Sequence, residues 1–419
     1  MATLLIEGGR RLDGRVDVEG NKNAALPLLA ACLLTDEPCV LTNIPRIRDV
    51  ETMARLLVSV GAEVDGIGTT ELRVRCADLT TDEPDRALVG TLRGSVLLLG
   101  PLLVRRGRVR LAPPGGDFPA RRTIQAHLQA LTVMGARTED GPDYELGAPD
   151  GLRGSSLYLD EASVTGTETA LLAAAGAAGR TEIRHAACEP HVAELCRFLR
   201  AMGIDVRGDG TPTLLVEGAR VRRGAAHRLD GDYIEAGTWA VVGAVTGGEV
   251  EVTGARAQDL EPVLAVLRRM GVHASVEADR LRVEPSAMVG ISRITTGPWP
   301  GFPSDMVSLT TVLATQASGR TLIHDWMYEL RLFALEQLSG MNADLFLCDP
   351  HRIIVTGPRQ LRGRTLDSRD LRSGMALIAA TLAADGVSRV RPLETVERGY
   401  ARVVERLKAL GALVGVEAE

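Results

Sequence analysis

The stretch LAPPGGDFPARRTIQAH, residues 111–127, sets a carboxylic acid, Asp117, between a Pro-Pro-Gly-Gly break and two adjacent guanidiniums, Arg121 and Arg122. Prolines and glycines interrupt regular structure, so the acid stands on a loop with two planar, permanently charged anion ligands behind it. Such a set suits delivery of a proton to something anionic. An aspartate after Gly-Gly also suits a plain turn cap, and the residues alone leave both readings open. A second carboxylate, Asp305 in PGFPSDM, follows Pro300 and Pro303, which stiffen its approach. It stands where a positioned base would, and equally where an N-cap belongs ahead of MVSLTTVLA. Ser163, Val164 and Thr165 open SVTGTET, which reads as the start of a buried helix whose N–H groups suit a diphosphate. Serine in that place is just as often a helix cap.

Other chemistries find less support. Seven histidines show no metal-ligand spacing, and the six cysteines (32, 39, 76, 188, 196, 348) form no CxxC pair or His/Cys cluster. Neither a zinc site nor a disulfide framework is therefore indicated. His127, beside the acid-bearing loop, is the one histidine retained as a binding candidate. The chain has 48 Lys plus Arg against 54 Asp plus Glu, a net charge of −6, which does not favour nucleic acid. Stretches such as SVLLLGPLLV are too short to span a bilayer, and the N-terminus lacks a signal-peptide pattern. A cytoplasmic protein with no membrane partner is expected.

The elements that position these residues recur. A helix-like run ending in Leu-x-x-h-Gly, where h is hydrophobic, meets a short β-like segment at Gly61, Gly135, Gly203, Gly271 and Gly411. A further copy, LSGMNADL, has Asn342 in the glycine place, and asparagine is the next best residue for a left-handed cap. Successive spacings are 74, 68, 68, 71 and 69 residues. An Ala/Leu-rich helix followed by a turn and a strand keeps the same beat, as in ETALLAAAGAAGRTEIRHA and GMALIAATLAADGVSRVRP. Those helices read as buried on all sides, and partners such as EPHVAELCRFLRAM as half exposed. Six α/β units of about 70 residues are too large for most solenoids, and predict two globular bodies of three with a ligand cleft between them.

These repeats, with GNKNAALPLLA, PPGGDFPARR, SVTGTETALLAA, FPSDM, DLRSGMALI and ERGYARV, resemble the bacterial UDP-N-acetylglucosamine enolpyruvyl transferases along nearly the whole chain. The resemblance implies an inside-out α/β barrel: six repeats in two three-repeat domains, helices inside and sheets outside. It implies that residues 1–21 and 230–419 form one domain, carrying Asp305, Arg331, Arg372 and Arg398. Residues 22–229 form the other, carrying the loop 111–122. The implied reaction moves the enolpyruvyl group of phosphoenolpyruvate onto the 3-hydroxyl of the sugar nucleotide by addition and elimination, releasing phosphate, as the first committed step of peptidoglycan synthesis; it implies no metal or organic cofactor, since arginines supply the positive charge. Residue by residue, Lys22 and Arg398 match ligands of the phosphate and carboxylate, as do Arg122, Arg331, Arg372 and Arg93. Asp305 matches the base for the sugar hydroxyl, and Asp117 takes the place of the cysteine found in many members as general acid. Asn23, Arg121, Arg122, Ser163, Val164, Thr165 and Glu189 lie at or beside positions lining the nucleotide-sugar pocket.

An ordinary aspartate, with a pKa near 3.9, is too acidic to donate a proton at neutral pH. Closure of the loop over the substrate dianion is expected to raise it. With a carboxylate in place of a thiolate, resistance to the alkylating inhibitor fosfomycin is also expected. The chain departs from the family pattern at Pro119, Ala120, Gln125, Trp299 and Leu330. Those changes leave open an acceptor other than UDP-N-acetylglucosamine, as in a specialised paralogue acting on another uridine nucleotide. The sister family acting on shikimate 3-phosphate shares the repeats but not GNKN, the PPGGD loop or FPSDM.

Overall fold

The computed structural model describes residues 2–116, 123–221, 223–329 and 331–418. The chain divides into two compact units, Met1–Glu19 with Gly231–Glu419, and Gly20–Asp230. It therefore begins in the first unit, builds the second, and returns.

Among the described residues each unit contains three sheets. In the second unit, Ser156–Tyr158 runs parallel to Gly179–Arg184, which pairs antiparallel with Thr213–Gly218, itself antiparallel to Asp205–Arg207. Four other sheets have the same pattern of one parallel pair and two antiparallel pairs. The sixth, in which Tyr144–Gly147 lies between Arg108–Leu111 and Arg137–Glu139, has three strands and is wholly antiparallel. None of the six closes on itself. Strands alternate faces along the chain, so Thr181 and Ile183 point inward while Arg180 and Arg184 face solvent.

The two passages between units use strands from distant parts of the chain in the same way. Gly14–Asp17 lies parallel to Val250–Thr253 in the first unit, and Ala226–Arg228 lies parallel to Cys39–Thr42 in the second. At each passage a glycine presses on a backbone carbonyl. A Cβ on Gly20 would lie 2.0 Å from the Asn43 oxygen, and one on Gly231 would lie 2.0 Å from the Gly254 oxygen.

Beneath the sheets lie helices with almost no solvent-facing side. All thirteen residues of Tyr233–Val245 are buried, and ten of thirteen in Val164–Gly176. Alanine and glycine make this possible, because small side chains let helix backbones approach. A Cβ on Gly100 would already lie 3.1 Å from the Thr169 carbonyl of the neighbouring helix. Leucines such as Leu171 and Leu172, with no exposed surface, each contribute about 1.5–3 kcal/mol of burial.

The second set of helices ends in one shared device. Gly61, Gly135, Gly203, Gly271 and Gly411 all have positive φ, between 82° and 108°, and Asn342 has φ 77°. The next residue's N–H bonds back to the leucine carbonyl of the motif in all six: Ala62 to Leu57, Ala136 to Leu131, Ile204 to Leu199, Val272 to Leu267, Ala343 to Leu338 and Ala412 to Leu407. This is the Schellman cap, and both apolar partners of each pair are buried. The Leu-x-x-h-Gly pattern is thus the sequence imprint of a helix stop.

Candidate active-site residues

In the first unit a carboxylate is gripped by two arginines. Asp305 lies in the 3-10 turn Ser304–Met306, directly before the Val307–Gln316 helix. Met306 occupies that helix's N-cap position, with no side-chain cap bond. Asp305 Oδ1 accepts from Arg331 Nη1 at 3.1 Å, and Oδ2 accepts from Arg372 Nη2 and Nε at 2.9 and 3.1 Å. The residue's place in the sequence suggests an N-cap, but the N-cap position falls one residue later, at Met306.

Arg372 is fixed from several directions. It is the second residue of the Leu371–Ala383 helix, whose N-cap, Asp370, accepts from the N–H groups of Arg372 and Ser373 at 2.9 and 3.0 Å. The guanidinium Nη1 donates to Tyr400 Oη at 3.2 Å. Thr238 Oγ1 donates to the Ile234 carbonyl, which leaves the Tyr400 hydroxyl, 3.1 Å away, to donate to Thr238. Burial works against the Arg372 charge, but Asp305 outweighs it and the guanidinium is held more firmly protonated than usual. Burial likewise opposes the charge of Arg331, and Asp305 with Asp325 again prevails. The Arg331 guanidinium also stacks 4.6 Å from the Tyr328 ring centre. Arg398 is half-buried in the turn after Leu393–Val396, two residues before Tyr400.

The second unit presents a lysine in a similar setting. Asn21 caps the Lys22–Cys32 helix, accepting from the N–H groups of Asn23 and Ala24 at 2.8 and 3.2 Å. Lys22 Nζ lies 2.7 Å from Asp49 Oδ2, in the first turn of the Arg48–Ser59 helix. Asn23 follows, half-buried. Arg93 opens the 3-10 helix Arg93–Leu98 and donates from Nη2 to the Thr123 carbonyl at 2.7 Å. Gly115 N–H donates to Val89 at 3.1 Å, and a Cβ there would fall 1.8 Å from the Gly90 oxygen. Both stems of the acid-bearing loop are therefore tied to Val89–Arg93. Asp117, Arg121 and Arg122 lie outside the described residues, as does Leu330.

Ser163 is the N-cap of Val164–Gly176, accepting from Gly166 N–H at 3.2 Å. Val164 and Thr165 form its first turn, and Thr165 Oγ1 meets His127 Nε2 at 2.9 Å. His127 is buried; burial first, and then the nearby Arg93, push its pKa down to about 4, so it is neutral at physiological pH. Glu189 holds the N-cap position of Pro190–Ala201 without a side-chain cap bond. Beside it lies an acid that the sequence reading passed over. Glu168 is fully buried on the Val164–Gly176 helix, and its Oε1 has no hydrogen-bond partner among the described residues. Burial raises its pKa well above the carboxylate range, and Glu189 adds to the effect. Its signal was a lone acid in an Ala/Leu run. Tyr400 and Asp49 were missed too, since neither stands out until the fold supplies its partner.

Of the departures from the family pattern, Gln125 opens the Gln125–Val133 helix, and Trp299 packs edge-on against Tyr233 with ring centres 5.6 Å apart. Among the described residues no group of three or more His, Cys, Asp or Glu is placed to hold a metal ion, and no helix is long and apolar enough to cross a membrane.

The family model described as EPSP synthase (3-phosphoshikimate 1-carboxyvinyltransferase) matches residues 6–407. The UDP-N-acetylglucosamine 1-carboxyvinyltransferase of Treponema denticola is 40% identical over 99% of each chain. That of Bradyrhizobium diazoefficiens is 41% identical over 98% of this chain and 97% of its own. Among solved structures, the enolpyruvyl transferase NikO from Streptomyces tendae superposes with a TM-score of 0.90 at 26% identity, covering 100% of this chain and 99% of its own. An EPSP synthase from Acinetobacter baumannii shares the fold at a TM-score of 0.78 and 19% identity, with 100% of both chains covered.

Proposed function

The chain belongs to the EPSP synthase family of enolpyruvyl transferases, and from that membership we infer that it moves the enolpyruvyl group of phosphoenolpyruvate to the 3-hydroxyl of UDP-N-acetylglucosamine, releasing phosphate. Full-length identity of about 40% to transferases of that name supports the acceptor. The observation that carries the chemistry is Asp305 held between Arg331 and Arg372. Two guanidiniums beside one carboxylate suit an anion-binding centre with a built-in base. Asp305 takes the proton of the attacking hydroxyl. Arg331, Arg372 and Arg398, together with Lys22, Arg93 and Arg122, bind the phosphate and carboxylate of phosphoenolpyruvate. Asn23, Arg121, Arg122, Ser163, Val164, Thr165 and Glu189 serve the nucleotide sugar. The two units correspond to the family's two domains, and the six sheets to six copies of one repeat in an inside-out barrel.

Asp117 is the acid that protonates the methylene carbon. A carboxylate is a poorer nucleophile than a thiolate towards an epoxide, so the protein resists fosfomycin. Asp117→Asn is expected to abolish turnover, and Asp117→Cys to confer inhibition by fosfomycin. Six free cysteines suit the reducing cytoplasm, where we place the protein. The reaction opens peptidoglycan synthesis.

Phosphate release from phosphoenolpyruvate, measured with a panel of uridine nucleotides, tests the reading. UDP-N-acetylglucosamine is expected to give the highest kcat/KM. Trp299 against Tyr233, close in sequence to the base, is the one observation favouring a different uridine nucleotide. Preference for such an acceptor would overturn the assignment.

A further inference from the structure

Behind the Asp305 cluster lies a second carboxylate with no exposed surface, Asp325. It follows the Gly319–His324 strand, and its oxygens are committed in opposite directions. Oδ1 accepts from Thr296 Oγ1 at 3.0 Å and Oδ2 accepts from Ser304 Oγ at 2.6 Å. Its backbone is pinned as well: its N–H donates to the His351 carbonyl at 2.8 Å, and its own carbonyl meets His351 Nδ1 at 2.7 Å. Ser304 then faces the site. Because its hydroxyl proton goes to Asp325, its lone pairs are turned to Arg331 Nη1, 2.7 Å away. The same Nη1 reaches Asp305 Oδ1 at 3.1 Å.

We propose that Asp325 is a positioning residue for catalysis, which acts through Ser304 to orient Arg331 and to share its charge, and so sets how tightly Arg331 holds Asp305. The inference rests on Asp305 being the base. A buried ionised carboxylate is costly unless its bonds are satisfied, and here two hydroxyls and a nearby cation satisfy it. Placing that anion one serine away from Arg331 splits the guanidinium's attention between two acids. Asp305 therefore stays bound but not locked, free to exchange its arginine bonds for a hydroxyl proton. The other charged or titratable groups facing Arg331 are Tyr328 and Asp370, and those facing Arg372 are Tyr400 and Asp232.

Removing the Asp325 charge turns more of the Arg331 field onto Asp305, which favours the ionised base. In Asp325→Asn, kcat is expected to fall about 10- to 100-fold, with KM for both substrates within threefold of wild type. The acidic limb of the kcat profile should move to lower pH by half a unit or more. Ser304→Ala should do the same, Ser304→Thr should restore activity, and Ser304→Ala with Asp325→Asn should be no worse than either alone. A purely structural role would leave the pH limb where it is and make the two losses additive; either result overturns the proposal. Should Asp325→Asn fail to fold, the Ser304 pair decides by the same pH criterion. Asp305→Asn serves as control: wild-type turnover there sinks the base assignment itself, whereas a dead Asp305→Asn beside an unmoved Asp325→Asn profile sinks this inference alone.

Discussion

Asp49 holds the ammonium of Lys22 at 2.7 Å, with side chains only 6% and 10% exposed. A charge so nearly removed from water keeps its place because an acid meets it. Asp49→Asn keeps the shape and removes the charge. We expect KM for phosphoenolpyruvate to rise about tenfold and stability to fall by up to about 3 kcal/mol. Steady-state kinetics with phosphoenolpyruvate varied, alongside urea denaturation, measure both. An unchanged KM would detach Asp49 from substrate binding.

The fork of Arg372 is harder to replace than its charge. Arg372→Lys keeps a cation but loses the paired Nε and Nη2 bonds to Asp305 and the bond to Tyr400. Its kcat should drop about 100-fold, as befits the loss of two charge-assisted bonds of roughly 1.5 kcal/mol each. Tyr400→Phe, which removes a single neutral partner, should cost less than tenfold. The reverse order would show that the phenol, rather than the fork, positions the arginine.

His127 links pH to stability. Its pKa is about 4 in the folded chain against an ordinary value of 6.5, so the folded state binds its proton less readily than the unfolded chain does. The stabilisation is therefore complete above pH 6.5 and is lost as pH falls towards 4. The difference amounts to at most about 3 kcal/mol. Urea denaturation at pH 7 and pH 4.5 should show wild type losing more stability than His127→Gln over that interval. Equal losses would remove His127 as the cause.

Helix stops give a test free of catalysis. Gly411 has φ 89° and nothing within 4 Å of where a Cβ would stand, so Gly411→Ala adds strain without a clash. It should cost about 1–2 kcal/mol, and Gly411→Asn less. At the sixth stop the change runs the other way: Asn342→Gly should be neutral to stabilising by a few tenths of a kcal/mol, a prediction tempered by the bond of its side chain to the Gln360 carbonyl. Thermal unfolding of the three variants ranks them.

The stops were readable in the sequence because their physics is local. A left-handed residue wants glycine or asparagine, and the leucine five residues before the returning N–H must be buried; both demands are written within six positions. The Asp305 cluster is different. Its arginines lie 26 and 67 residues from the acid, and no local rule connects them, so only resemblance to relatives picked them out. Asp49 was hidden for the opposite reason, since an acid in the first turn of a helix is ordinary dipole chemistry and nothing in RDVE names a lysine 27 residues upstream as its partner. Asp325 likewise follows a strand, where an acid looks like a loop residue. Asp305 invited the cap reading because it directly precedes a helix, and its grip by two guanidiniums could not be read from that position.

The strand Ala2–Glu7 lies in the middle of its sheet, between Val387–Arg391 and Leu413–Ala418. During synthesis it leaves the ribosome about 400 residues ahead of its last neighbour, a wait of roughly 20–80 s at about 5–20 residues per second. Over that interval an apolar segment, with Leu4 and Ile6 destined for the interior, has both edges open. Nascent chains stalled before Val387 should thus be clients for chaperones and sticky to one another, whereas Gly20–Asp230 holds all its own strand partners long before translation ends.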